Sequence, residues 1–171
     1  MALQFESYDG GNFMGNLYMN MLVGTAAEAL EAGDFNEVDR NIERRIGNAF
    51  FKAQRYQYAI KKYEDAIKHF DGTDIAVYNN IAMCYYKLGQ TEDASNNFDK
   101  CRTKCIKALV IGQQHGAQKK DISKAMARIG MCYECEKDYE KAIEWFEKSV
   151  AEHPDKHVSI NLAKLKKQHQ K

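Results

Sequence analysis

Small and apolar side chains return along this chain in three similar sets. The first runs Ile46-Gly47, Phe50, Tyr56, Ala59, Tyr63 and Ala66, and the second Ile81-Ala82, Tyr85, Gly89, Ala94, Phe98 and Cys101. The third runs Ile129-Gly130, Tyr133, Tyr139, Ala142, Phe146, Ser149 and Pro154. Within each set the spacing is that of an amphipathic helix, interrupted once near the middle, so each set predicts two helices joined by a short turn. Gly47, Ala82 and Gly130 are small where the two helices of a pair would cross, and the aromatic residues fill the space beside them.

Local signals place the boundaries. Asp34 with Glu37 three residues on forms a capping box and predicts a helix to about Ala53. The Arg55-Tyr56 turn leads into a second helix ending near Phe70. Asp71-Gly72-Thr73-Asp74 is a turn carrying its own N-cap. After it come a helix to Leu88, stopped by Gly89, and a long helix from about Thr91. The crossing residue moves 35 positions from Gly47 to Ala82 but 48 from Ala82 to Gly130, so about 13 or 14 residues are inserted. Phe98 to Ile111 keeps helical spacing with no breaker before Gly112 and Gly116, which predicts two protruding extra turns and a short connector. The third pair spans about Asp121 to His153. Beyond Pro154, His157 to Gln170 sets Val158, Ile160, Leu162 and Leu165 among lysines and reads as a solvating end helix. Upstream, the Ala-rich stretch Asn16 to Ala32 reads as an extra helix folded back on the first pair, with residues 1–13 loosely ordered.

A period near 34 residues with these small and aromatic positions resembles the tetratricopeptide repeat. The resemblance implies an all-α fold, a right-handed superhelix of antiparallel helix pairs closed by a C-terminal end helix. Residues 1–36 are then an N-terminal segment with one extra helix. Residues 37–171 hold three repeats and the end helix, an architecture that serves as a binding scaffold.

Composition narrows the function. Lysine and arginine number 25 against 24 acidic residues, a net charge of +1, so bulk affinity for nucleic acid is not indicated and any electrostatic role is local. Glu6, Asp9 and the polar interruptions Gly15, Asn16 and Asn20 argue against a signal peptide, and no stretch is apolar enough to span a membrane. Five cysteines without a scaffold pattern suit a reducing compartment, the cytoplasm by default. Cys101-x-x-x-Cys105 and Cys132-x-x-Cys135 offer four thiolates to zinc. However, Cys84 and Cys132 fall where the repeat packs a small residue and Cys101 replaces a packed alanine, so these are read as small hydrophobes, with no metal and no cofactor. The sequence shows no phosphate loop, nucleophile elbow or paired-carboxylate pocket, so the chain is not read as an enzyme. The basic run Arg102, Lys104, Lys107, Lys119 and Lys120 lacks interleaved aromatics and reads as a solvated face.

The inner helices carry the candidate chemistry. Taking Gly47, Ala82 and Gly130 as repeat position 8, Arg44 and Asn48 fall at groove positions of the first repeat, Asn80 of the second, and Lys124 and Arg128 of the third. All five are hydrogen-bond donors, and each i, i+4 pair shares one helical face. Cations gathered this way repel one another until an anion joins them, so an anionic, extended ligand is expected. Phe51 and Tyr86, both at position 12, form a possible apolar pocket for a ligand side chain or are ordinary groove lining.

Arg44-x-x-x-Asn48, Asn80 and Lys124-x-x-x-Arg128 resemble the two-carboxylate clamp of co-chaperone tetratricopeptide domains. That family has lysine where Arg44 stands, which keeps the charge but exchanges a point donor for a planar fork. Lys124-Ala-Met-Ala-Arg128-Ile-Gly and Ser149-Val-Ala-Glu-His153 look most like the central domain of the stress-inducible, heat-shock-organising family. The resemblance covers roughly residues 37–170. It implies binding of the Glu-Glu-Val-Asp tail of a cytosolic heat-shock chaperone of the ninety- or seventy-kilodalton class, with no nucleic-acid or membrane partner. Two alternatives stand beside it. One is a scaffold subunit of a larger assembly, held by its convex face or the long second-repeat helix, with the clamp incidental. The other is the targeting module of a phosphatase or prolyl isomerase whose catalytic domain lies elsewhere.

Overall fold

The computed structural model describes residues 35–69 and 72–169, with side chains described from Ile42 onward except at His69. The helix expected over Asn16 to Ala32, the 1–13 segment, the Asp34 capping box and Asp71 lie outside the described residues. The chain divides into two compact units, Met1–Ala66 and Ile67–Lys171. Every regular element among the described residues is an α-helix. None of these helices is long and apolar enough to cross a membrane.

In the first unit α1 (Phe35–Lys52) turns through three residues into α2 (Tyr56–His69), whose last residues lie past the unit boundary at Ala66. A Cβ built on Gly47 would lie 2.6 Å from Tyr63 Cε1, so the missing side chain is what lets the Tyr63 ring cross α1. Gln54 ends α1 in the left-handed region at φ +60°, and Arg55 N–H donates to the Phe50 carbonyl at 2.9 Å. Such a cap satisfies a terminal carbonyl but strains a residue that has a Cβ.

The second unit contains α3 (Ile75–Gly89), α4 (Ala94–His115), α5 (Lys119–Cys135), α6 (Tyr139–Glu152) and α7 (Lys156–His169). Helix α3 packs chiefly on α4 and α5 chiefly on α6, while α4 and α3 both touch α5. Side chains cap the starts of α3, α6 and α7, whereas α5 begins after Gln118 without such a cap. Asp74 Oδ1 accepts from Ala76 N–H at 2.9 Å, Asp138 Oδ1 from Lys141 N–H at 3.2 Å, and Asp155 Oδ1 from His157 and Val158 N–H. The core joins Tyr78, Ala82, Tyr86, Phe98, Cys101, Ala125, Ile129 and Cys132. Gly130 meets Phe146 as Gly47 meets Tyr63, with a hypothetical Cβ 2.9 Å from the ring. The end helix α7 places Leu165, 3% exposed, over Ala142, Ile143 and Phe146.

Three local expectations change. Gly89 does not stop α3 by a left-handed turn, since the C-cap is Gln90 in the right-handed region at φ −79°. Gly89 is instead buried against Phe98, 2.6 Å from the position a Cβ would take. Gly112 does not break α4; the helix runs through it to His115 and is capped by Gly116 at φ +64°. The inserted residues do lengthen α4, to 22 residues against 14 in α6. Its added turns are not free, however: Ala108, Ile111 and Gly112 are buried, and Ala117 and Ile122 pack on the same cluster.

Candidate functional site

Two helical turns of α1 carry Arg44 and Asn48, in the first unit. Asn48 is exposed, and its Oδ1 accepts a 2.7 Å hydrogen bond from the Tyr63 hydroxyl. Tyr63 is 2% exposed, so a core aromatic holds this amide in place. Arg44 is half-buried.

Asn80, Lys124 and Arg128 lie in the second unit, on helices α3 and α5, which touch. Asn80 is half-buried, and its neighbour Asn79 is 2% exposed. Asn79 Nδ2 donates to the Asp121 backbone carbonyl at 2.9 Å, tying α3 to the first turn of α5. Lys124 Nζ lies 2.7 Å from Asp121 Oδ1, three residues back on the same helix. The lysine expected to wait for an anion therefore already has a carboxylate, one the groove-position reading passed over. An acid three residues before a lysine was a legible signal for it.

Arg128 differs. Its Nε and Nη1 are buried and have no hydrogen-bond partner. Burial pulls its pKa below the ordinary guanidinium value, and the neighbouring Cys105, Cys101, Asp121 and Cys84 oppose that shift. The residue as a whole is half-buried, and its two buried, unmatched donors carry a cost that an incoming carboxylate relieves.

Beneath Arg128 the thiols of Cys84, Cys101, Cys105 and Cys132 are all fully buried. Burial pushes Cys84 up to about 12, the nearby Arg128 charge opposing it. Cys101 is raised first by its contact with Cys105, and Cys132 first by its contact with Cys101. Cys135 stands apart, exposed, with Sγ 3.5 Å from the Tyr86 hydroxyl. Among the described residues no three His, Cys, Asp or Glu side chains are arranged to hold a metal ion.

The two aromatic candidates separate. Tyr86 is 8% exposed, packs on Phe98 with ring centroids 5.9 Å apart, and its hydroxyl accepts from Gln90 Nε2 at 3.1 Å. Core packing takes up this ring, so it does not form an open pocket wall. Phe51 is half-buried and leans on Tyr56 at 5.4 Å.

Tetratricopeptide-repeat profiles match residues 75–101 and 123–156. Stress-induced-phosphoprotein 1 of Caenorhabditis elegans is 32% identical over 126 residues, which cover 74% of this chain and 37% of that protein. The chain thus spans little more than a third of that relative's length. The solved N-terminal domain of C. elegans stress-induced protein-1 is 30% identical with a TM-score of 0.63, covering 75% of this chain and 94% of that one. The tandem repeat domain of yeast Sti1, solved in complex with an Hsp90 peptide, is 29% identical with a TM-score of 0.70. That match covers 79% of this chain and 49% of the Sti1 chain.

Proposed function

Because the chain belongs to the tetratricopeptide-repeat family and is homologous to the repeat domains of the Sti1-type heat-shock-organising proteins, we propose that it is a cytoplasmic, non-catalytic adaptor. It docks the acidic C-terminus of a heat-shock chaperone in its concave groove. Arg128 carries this reading: a half-buried cation whose buried Nε and Nη1 lack acceptors, one turn from Lys124 on the same face of α5. In this reading Asn80, Lys124 and Arg128 hold carboxylate groups of a Glu-Glu-Val-Asp tail, and Arg44 and Asn48 are further proposed donors by their repeat positions. Phe51 contributes apolar contact upstream. The likeness to a yeast domain solved with an Hsp90 peptide supports the ligand class.

The test is a set of single substitutions measured by calorimetry against a peptide ending Glu-Glu-Val-Asp. Arg128→Ala removes a charge-assisted bond and should weaken binding by about 1.5–3 kcal/mol. Lys119→Ala, an exposed cation outside the set, should change little beyond a salt-screened effect. Equal losses from the two would contradict the assignment. A chain that binds neither chaperone tail would instead fit the scaffold reading, with the half-exposed Ile106 and Val110 of α4 as its surface.

A further inference from the structure

We infer that Asp121 is a built-in competitor for the ligand: it holds Lys124 and must give that lysine up when a ligand carboxylate arrives. The inference rests on the binding reading above and identifies a residue that sets the affinity of that site. Lys124 Nζ sits 2.7 Å from Asp121 Oδ1. The Asp121 side chain is partly exposed, but the backbone that carries it is held. The Asp121 backbone carbonyl is pinned by Asn79 Nδ2 at 2.9 Å, and Asn79 is 2% exposed. The next residue, Ile122, packs under the extended end of α4, where a Cβ on Gly112 would come within 3.4 Å of it. Asp121 is therefore set beside the lysine from two directions.

The first turn of α5 also gives the carboxylate somewhere to remain charged. Asp121 follows the Gln118 N-cap by three residues, and unpaired N–H groups at a helix N-terminus favour a negative charge. A ligand carboxylate can thus take Lys124 without stranding Asp121. The exchange substitutes one ion pair for another, so Lys124 contributes only the difference between them. Arg128 has no hydrogen bond to exchange at Nε and Nη1, and Asp121 acts on it only through space, so its contacts with the ligand are discounted less. The two cations one turn apart are accordingly unequal, with Asp121 setting the inequality. Asp121 also screens ligands, since a weakly held anion fails to displace it while a terminal carboxylate beside an Asp side chain succeeds.

The experiment is calorimetry of the whole chain with a peptide ending Glu-Glu-Val-Asp, using the wild type, Asp121→Asn, Lys124→Ala and the double variant. Asp121→Ser runs in parallel so that the result does not depend on one replacement, and circular dichroism checks that helicity is kept. Removing the competitor should tighten binding about two- to fivefold, the scale of a partly exposed ion pair. The gain should vanish when Lys124 is also alanine. Two outcomes overturn the inference while leaving the binding reading intact: well-folded Asn and Ser variants that bind no better than wild type, or a gain that persists without Lys124. A wild-type chain that does not bind the peptide at all overturns the binding reading, and this inference with it.

Discussion

At the scale of single residues, Arg128 sets stability against use. Its buried Nε and Nη1 have no acceptor, and unmatched buried donors cost about 1–3 kcal/mol. Arg128→Met keeps most of the stem packing while removing those donors. The variant should unfold at higher denaturant concentration than wild type, by about 1–3 kcal/mol, and should lose peptide binding. A drop in stability would mean the guanidinium is satisfied as it stands. The thiols below make a separate prediction. Cys84 is raised from 9.0 to about 12 by burial, so the neutral thiol is the form the fold stabilises. Its contribution is fully present below about pH 9 and is lost as pH rises towards 12, because the unfolded chain ionises first. Each such thiol should lower stability by about 1.4 kcal/mol per pH unit across that window. Cys101 and Cys132 shift in the same direction, as do the tyrosines Tyr78 and Tyr86. Cys84→Ala should therefore make the alkaline slope in a denaturant series shallower by one thiol, and an unchanged slope would show that this thiol ionises freely in the fold.

At the scale of elements, helices were legible wherever periodicity and caps agreed. The expected end near Phe70 meets α2 ending at His69, and the predicted end helix meets α7 at Lys156–His169. Glycine was where the sequence misled. Gly89 and Gly112 look like stop signals but serve close approach, and only the packing partners Phe98 and Ile122 reveal it. In contrast, Gln54 and Lys137 take the left-handed turns at φ +60° and +64° without being glycine, so composition gave no sign of them. Glycine at a helix crossing has a direct test in Gly130, whose missing Cβ leaves room for Phe146. Gly130→Leu should overpack the α5–α6 pair and lower stability by about 1–3 kcal/mol in a denaturant titration. A neutral result would mean that the ring can move aside.

At the scale of the whole molecule, repeat position located five donors, but only coordinates could say what each donor already holds. Asn48 is oriented by Tyr63, Lys124 is occupied by Asp121, and Arg128 keeps two donors unmatched. Ion pairs and orphaned donors depend on side-chain reach across a turn or between helices, which linear spacing constrains only loosely. Tyr86 shows the same limit, since position 12 left it open between pocket and groove lining while its ring is buried in the core. The central claim, that this scaffold reads a terminal carboxylate, is tested most directly by changing the ligand and leaving the protein untouched. A peptide ending Glu-Glu-Val-Asp should bind with micromolar affinity, about −8 kcal/mol. The same peptide with an amidated C-terminus should bind more weakly by about 1.5–3 kcal/mol in matched calorimetric titrations. Equal affinity for the free acid and the amide would contradict the account.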